Sequence, residues 1–259
     1  MKRIMQAARQ RGSQAEAKMQ TAYARLVDVA QATLRQARQV EAALKQEAKA
    51  AAGKLAQRLE PLVPRLEQFI DQTLRRVFAG EALPASEKVV SLFEPHTAII
   101  RKGKPGKPVE FGRVVWLDEV EGGLVSRYAV LEGNPPEEAE LMPSLAHHEH
   151  VFGKPPRLLA GDRGVYSPEN ERSASERGVK QVVLPKPGRV SKKRRAYERQ
   201  RWFRRGRNWR AGIEGRISGL KRRHKLERCR YHGHDGMERG VGWGVIAHDL
   251  RVMARAMAA

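Results

Sequence analysis

At 259 residues the chain is long enough to bury one large core or two ordinary ones. It carries 50 Lys and Arg against 29 Asp and Glu, a formal net charge of +21 that points to an anionic partner, with nucleic acid ahead of an anionic membrane surface. No apolar run approaches the ~20 residues of a membrane span. The basic start "MKRIMQAARQRG" lacks a secretory apolar segment, and a single cysteine, Cys229, excludes an internal disulfide. The expected setting is the cytoplasm, in association with the nucleoid.

Residues 1–80 read as a helical region. Ser13 and Glu16 have capping-box spacing. Apolar residues recur at Leu26, Ala30, Leu34, Ala37, Val40 and Leu44, alternating steps of three and four, which makes one helix stripe. Pro61 and Pro64 interrupt the pattern. A second stripe, Leu66, Phe69, Ile70, Leu74 and Val77, closes at Gly80, so a long helix is expected to fold back on a shorter one.

The linker "GEALPASEK" leads into residues 86–259, where the composition turns toward β. "KVVSLF" reads as a strand, and "IIRKGKPGKP" as a basic loop whose Arg101–Lys107 segment either touches a DNA backbone or is simply solvated. "VEFGRVVWLDEV" and "LVSRYAVL" flank "EGG" as a hairpin. "PEEAELMPSLAHHEHVFG" is helical in part. "RLLAG" is a short strand ending at Asp162. Ser167 and Pro168 are placed as N-cap and first residue of a helix that Gly178 ends, and "VKQVVLP" is a second strand. Strand, helix and strand at this spacing imply a parallel crossover, with ligands expected beyond the carboxyl ends of the strands.

From Lys192 to Arg230 there are 17 basic residues and three acidic ones, Glu198, Glu214 and Glu227. Trp202, Phe203, Trp209, Ile213, Ile217 and Leu220 are interleaved, which favours folded structure over a solvated tail. On a helix of about 100° per residue, Arg207, Arg210, Glu214 and Lys221 share one stripe beside a buried face of Ile213, Ile217 and Leu220. Glu214 is then either an ion-pair partner of Arg210 or a metal ligand among phosphate-binding cations. Gly212, Gly215 and Gly219 each disfavour a helix by about 1 kcal/mol, so another backbone, protein or DNA, is expected to approach closely. A last helix, "WGVIAHDLRVMARAM", ends the chain.

The order R-x2-R-x3-E-x6-K on Arg207, Arg210, Glu214 and Lys221 resembles the signature around the last acidic residue of many DDE transposases. With "SLFEPHTAIIRKGKPGKP", "AGDRGVYS" and "AGIEGRISGLKRRHKLERCRYHG", essentially the whole chain resembles the ISNCY-type insertion-sequence transposases. The resemblance implies an α/β, RNase H-like catalytic core with basic C-terminal helices, preceded here by the helical hairpin. In such a core three carboxylates hold two Mg²⁺ or Mn²⁺ ions that cleave DNA and transfer its strands. It further implies that Asp162 and Glu214 are catalytic metal ligands, and that Arg207, Arg210, Lys221, Arg222 and Arg223 bind the DNA of transposon ends and target. A homo-oligomer is possible, and no membrane is involved.

Two positions depart from that pattern. Arg207 stands where the signature usually has tyrosine. The first aspartate, carried by the family in a "DTT"-like segment on the first core strand, has no counterpart. Asp28 and Asp71 lie in helical stretches, and Asp118 in the hairpin is a poor replacement. The expectation is therefore a truncated or mis-started copy with an incomplete core that binds DNA and does not cut it, the alternative being a non-catalytic DNA-binding remnant or transposition inhibitor. "HHEH" (His147, His148, Glu149, His150) and "CRYHGH" (Cys229, His232, His234) lack paired zinc-ligand spacing. Trp202 and Trp209 either stack on unpaired bases or pack the helix.

Overall fold

The structure, a computed structural model, describes residues 13–47, 49–104, 107–224 and 226–258, with the side chains of 13, 15, 101–104, 107 and 108 excepted. It is a mixed α/β chain, mostly helical, in two compact units, Met1–Ile99 and Ile100–Ala259.

In the first unit α1 (Ser13–Gln46) packs against α2 (Ala50–Leu59) and α3 (Leu62–Thr73). Pro61 caps α3 and Pro64 sits in its first turn, where a missing N–H breaks no helical bond. The return arm is therefore two helices, and α3 runs on into a π-helical turn, Leu74–Phe78. Val27, Ala30 and Ile70 are buried, with Leu34, Leu66 and Phe69 against them. The apolar stripe of α1 is buried only over its first half; Val40 is 49% exposed. The capping box depends on the Ser13 side chain, which lies outside the described residues.

"KVVSLF" is not a strand. The buried Gln72 on α3 donates Nε2 to the Val89 carbonyl and accepts the Val89 N–H, both at 2.8 Å. Arg65 reaches the Leu92 carbonyl at 3.2 Å and Gln68 the Glu87 carbonyl at 3.1 Å. Side-chain amides supply what a neighbouring strand would, and they tie this segment to the helices. The boundary between units consequently falls at Ile99, later than the change in composition.

Beginning just before the second unit, β1 (Ala98–Lys104) pairs with β2 (Lys107–Gly112), so the described residues of the segment expected to be a basic loop are strand instead. The side chains of that segment lie outside the described residues. The run "VEFGRVVWLDEV" breaks at Gly112, and β3 (Val115–Glu119) pairs antiparallel with β4 (Val125–Val130) through a turn at Gly122 and Gly123, both at positive φ. Helix α4 (Leu141–Phe152) follows. Then β5 (Leu158–Ala160), α5 (Pro168–Glu176) and β6 (Gln181–Val183) form the expected crossover, with β5 and β6 parallel. The Ser167 hydroxyl accepts the Asn170 N–H at 3.0 Å, as a cap should. Leu141, Leu145, Val165, Ala174, Val179, Val182 and Leu184 form one core, and Trp116 of β3 packs against it.

The strands make three two-stranded sheets. The single mixed sheet expected of an RNase H-like core is not formed among the described residues, because β3 pairs with β4 and β5 with β6 and neither pair joins the other. The basic block folds as α6 (Lys192–Glu198), α7 (Arg201–Ala211) and α8 (Ile213–Arg223), and α9 (Gly233–Met257) ends the chain. The helix expected through Glu214 is thus two helices meeting at Gly212, where hydrogen bonds tighten to i→i+3: Gly212 N to Trp209 O and Gly215 N to Gly212 O. Beneath α9, Val125, Val130, Val241 and Val245 form a further core.

The glycines of this block have unequal roles. At Gly206 of α7 a Cβ would lie 2.6 Å from Val183 Cγ2 and 3.2 Å from Leu158 Cδ1, so α7 rests directly on β5 and β6. At Gly215 and Gly219 a Cβ would meet nothing within 4 Å, so among the described residues no protein backbone makes the close approach for which protein or DNA was expected. Gly206→Val should therefore lower stability by about 2–3 kcal/mol through overpacking. Gly215→Ala should raise it by about 0.5–1 kcal/mol through helix propensity. Urea denaturation of both variants checks the pair, and equal effects would contradict this packing.

Candidate functional site

Asp162 follows β5 by two residues, at the carboxyl end of the parallel pair. Its Oδ1 accepts the Arg163 N–H at 2.7 Å, capping the 3₁₀ turn Arg163–Val165. Its Oδ2 accepts from Arg210 Nη2 at 2.8 Å. The other terminal nitrogen of Arg210, Nη1, lies 3.7 Å from Glu214 Oε1. Two carboxylates from distant stretches of chain thus meet on one guanidinium, and the plain roles of turn cap and i,i+4 ion pair hold for both as well.

The local fold explains the meeting. Phe203 is fully buried and Gly206 presses on Val183, so Arg210, one turn on from Gly206, is delivered to the end of β5. Arg194 secures this seat from α6. Its Nη1 is 2.8 Å from both carboxylate oxygens of Glu171, its Nε 2.7 Å from Glu198 Oε1, and its Nη2 2.7 Å from the Leu184 carbonyl. Its guanidinium lies 5.1 Å from the Tyr166 and Tyr197 ring centres and 5.9 Å from that of Phe203. Nothing in the sequence set Arg194 apart from its basic neighbours.

The far side of α8 is fixed by Arg216, whose Nε lies 3.4 Å from Glu119 Oε1 at the end of β3. Gly123 leaves room for that guanidinium, since a Cβ there would sit 2.7 Å from it. Burial pushes the Glu119 carboxyl above its ordinary value, opposed by Arg216, and Glu119 Oε2 has no hydrogen-bond partner among the described residues. Nothing in the sequence distinguishes Glu119 from its neighbour Asp118 in the same strand.

Asp118 does not join Asp162 and Glu214. Its Oδ1 accepts from Trp116 Nε1 at 2.7 Å and from the Ser144 hydroxyl at 2.9 Å, with Arg127 Nη1 3.5 Å from Oδ2, so it ties α4 to the hairpin. No group of three or more His, Cys, Asp or Glu able to hold a metal occurs among the described residues. Asp162 and Glu214 alone converge. Two hard carboxylate donors suit Mg²⁺ or Mn²⁺, which often takes one or two protein carboxylates and completes its shell with water and phosphate. For one ion to take both, Arg210 would have to yield its place.

The other expected cations divide by partner. Arg207, Lys221, Arg222 and Arg223 are exposed, and no carboxylate pairs with them among the described residues. Trp202 packs edge-on against Tyr197 and Phe203, at 5.4 and 5.5 Å, whereas Trp209 is 45% exposed. His147 is hydrogen-bonded to the Ser126 carbonyl and His148 lies against Phe152, so the two rings diverge. His234 contacts Arg113 and Glu238, and Cys229 faces the Tyr231 carbonyl.

Burial pushes the Asp118 carboxyl up, against the opposing pull of Ser144, Trp116 and Arg127. A carboxyl raised in the folded state stabilises the protein below the ordinary value of 3.8 and loses that contribution as pH rises through its higher folded value. Asp118→Asn, which resembles the protonated form, should flatten the decline of the urea midpoint over that window; an unchanged profile would refute the assignment. Arg210→Gln should raise Mn²⁺ affinity roughly tenfold, about 1.4 kcal/mol, by freeing two carboxylates of their cation. Calorimetric titration reads this, and Asp162→Asn added to Arg210→Gln should abolish the gain. Comparison of the chain with protein-family models, with curated proteins and with solved structures found no match.

Proposed function

We propose that this chain handles DNA as a DDE-type transposase, with Asp162 and Glu214 as two metal-holding carboxylates and the exposed cations of α7 and α8 as its phosphate contacts. The observation that carries the reading is the convergence of Asp162 and Glu214 on Arg210 at the end of β5. Four strands, a helix, a strand, a crossover helix and a parallel strand precede the helices α6 to α8, and the alternation after β4 supports an RNase H-like relationship although the strands lie in three separate sheets. When bound, a divalent ion there would polarise a phosphodiester and activate the attacking oxygen. Arg207, Lys221, Arg222 and Arg223 would hold the strand, and Arg210 would exchange its carboxylates for a phosphate.

A second reading has its own support. Arg210 stands between the two carboxylates, where it neutralises them without any metal, an arrangement suited to a DNA binder that does not cut. For the isolated chain this is the expected behaviour, since two carboxylates and a guanidinium make an incomplete two-ion site.

Both readings require duplex binding that weakens with salt. The four exposed cations alone set a slope of log K against log salt at least as steep as about −4, measurable by fluorescence anisotropy, and a flat dependence would eliminate the nucleic-acid function. Incubation of the chain with supercoiled plasmid and Mn²⁺ separates the two readings. Binding without nicking is the expected result. Nicking that disappears in Asp162→Asn and in Glu214→Gln would establish the transposase activity in this chain itself.

A further inference from the structure

Beyond the Glu214 helix, the end of α8 meets α9. His224, which closes α8, lies with its ring 5.9 Å from that of His248 on α9, edge to face. His248 is in turn hydrogen-bonded to the Gly123 carbonyl at 3.1 Å, so the crossing is anchored to the β3–β4 turn. Arg223 immediately precedes His224. On α9, His248, Arg251 and Arg255 are spaced i, i+3 and i+7, which places them on one face. The contact between the two histidines therefore gathers three guanidinium groups from two helices.

None of the three has a carboxylate partner among the described residues. The acid beside them in sequence, Asp249, instead accepts the Val125 N–H at 3.0 Å. Arg223 and Arg255 lower the proton affinity of Arg251, the mark of like charges held close together. A helix C-terminus accounts for cations at Arg223 and Arg255, each in the last turn of its helix. It does not account for Arg251, six residues before the end of α9, on which both of the others act by repulsion.

We infer that Arg223, Arg251 and Arg255 form a phosphate-binding site at the α8–α9 crossing, which extends the DNA path from the Glu214 helix onto α9. The inference rests on the DNA-binding reading above. Guanidinium forks match phosphate oxygens, and three of them spread over two helices suit a ligand with several linked phosphates. A duplex backbone supplies these in sequence along the exposed cations of α8. It also offsets the repulsion that the fold leaves uncompensated.

The test compares the whole chain with Arg251→Gln/Arg255→Gln and with a control that loses the same charge elsewhere, Lys18→Gln/Lys54→Gln. Anisotropy of a labelled 20-base-pair duplex is followed over a salt series. The arginine variant should bind about tenfold more weakly, with a salt slope shallower by about two, while the lysine control keeps the wild-type slope. Arg251→Lys/Arg255→Lys, which retains charge, should recover the slope. The melting temperature of the glutamine variant should equal or exceed that of the wild type, because repulsion has been removed; a lower value would mean that these residues hold the fold together. Wild-type slope in the glutamine variant would overturn the site while leaving DNA binding intact. Absence of salt-dependent DNA binding by the unaltered chain would overturn the underlying reading and the site with it. Loss of binding to phosphatidylserine vesicles with DNA binding unchanged would assign the cluster to lipid instead, against this proposal.

Discussion

The seating of α7 on β5 and β6 is the contact on which the candidate site depends. A glycine at 206 lets the helix backbone come down onto Val183 and Leu158, and the Phe203 ring one turn earlier is fully buried, packed edge-on with Tyr197 and Trp202. No long side chain at 206 would permit that distance. With the helix so placed, Arg210 reaches Asp162 just beyond β5, and Glu214, two residues past the break at Gly212, comes within 3.7 Å of the same guanidinium. The aromatic group of Tyr166, Tyr197 and Phe203 around Arg194 then resists sliding of α7 along the strands. Arg194 is only partly accessible, at 15% of its side chain, and with its partners it behaves as a core element made of charge. Removing one side of such a network leaves buried charge unpaired.

The net positive charge of the chain has two structural populations. Arg194, Arg210 and Arg216 tie separate elements together: α6 to α5 and the end of β6, α7 to the turn after β5, α8 to β3. Arg207, Lys221, Arg222, Arg223, Arg251 and Arg255 have no such partner among the described residues. A count of basic residues cannot separate these groups, since composition carries no information about which carboxylates fold nearby. Carboxylates follow the same division: Asp118 and Glu119 lie under the hairpin, where burial favours their neutral forms, while Asp162 and Glu214 are 54% and 75% exposed.

Local patterns in the sequence were legible where local physics decides the structure. The crossover from β5 through α5 to β6 was readable because Ser167, Pro168 and Gly178 each satisfy a requirement of a helix end within a few residues. The glycine turn between β3 and β4 was readable for the same reason. The failures arose where a distant partner decides. "KVVSLF" has strand composition, yet the amide of Gln72 binds its backbone. A local exception is the run through Arg207 and Lys221, whose single helical period does not reveal the break at Gly212. Val40 continues the apolar period of α1 beyond the point where α3 remains to cover it. In the site, Asp162, Arg210 and Glu214 were all named from the sequence; the direct contact from Arg210 to Asp162 was not, and neither were the roles of Arg194, Glu119 and Arg216.

The energy of the Arg210 contacts bears on how such a site would work. Ion pairs this exposed contribute about 0–1 kcal/mol, because water competes for both partners. Asp162 retains its bond to the Arg163 N–H whether or not Arg210 is present, so the carboxylate stays oriented when the guanidinium leaves. Glu214 has no such second tether among the described residues and remains free to turn. An incoming phosphate strand offers Arg210 a bidentate partner of higher charge, and a divalent ion offers the two carboxylates the same. Exchange of partners at this point therefore requires little energy from either ligand. If the proposed function holds, Arg210 is a placeholder between the two carboxylates, and a phosphate strand and a divalent ion would take over its partners together.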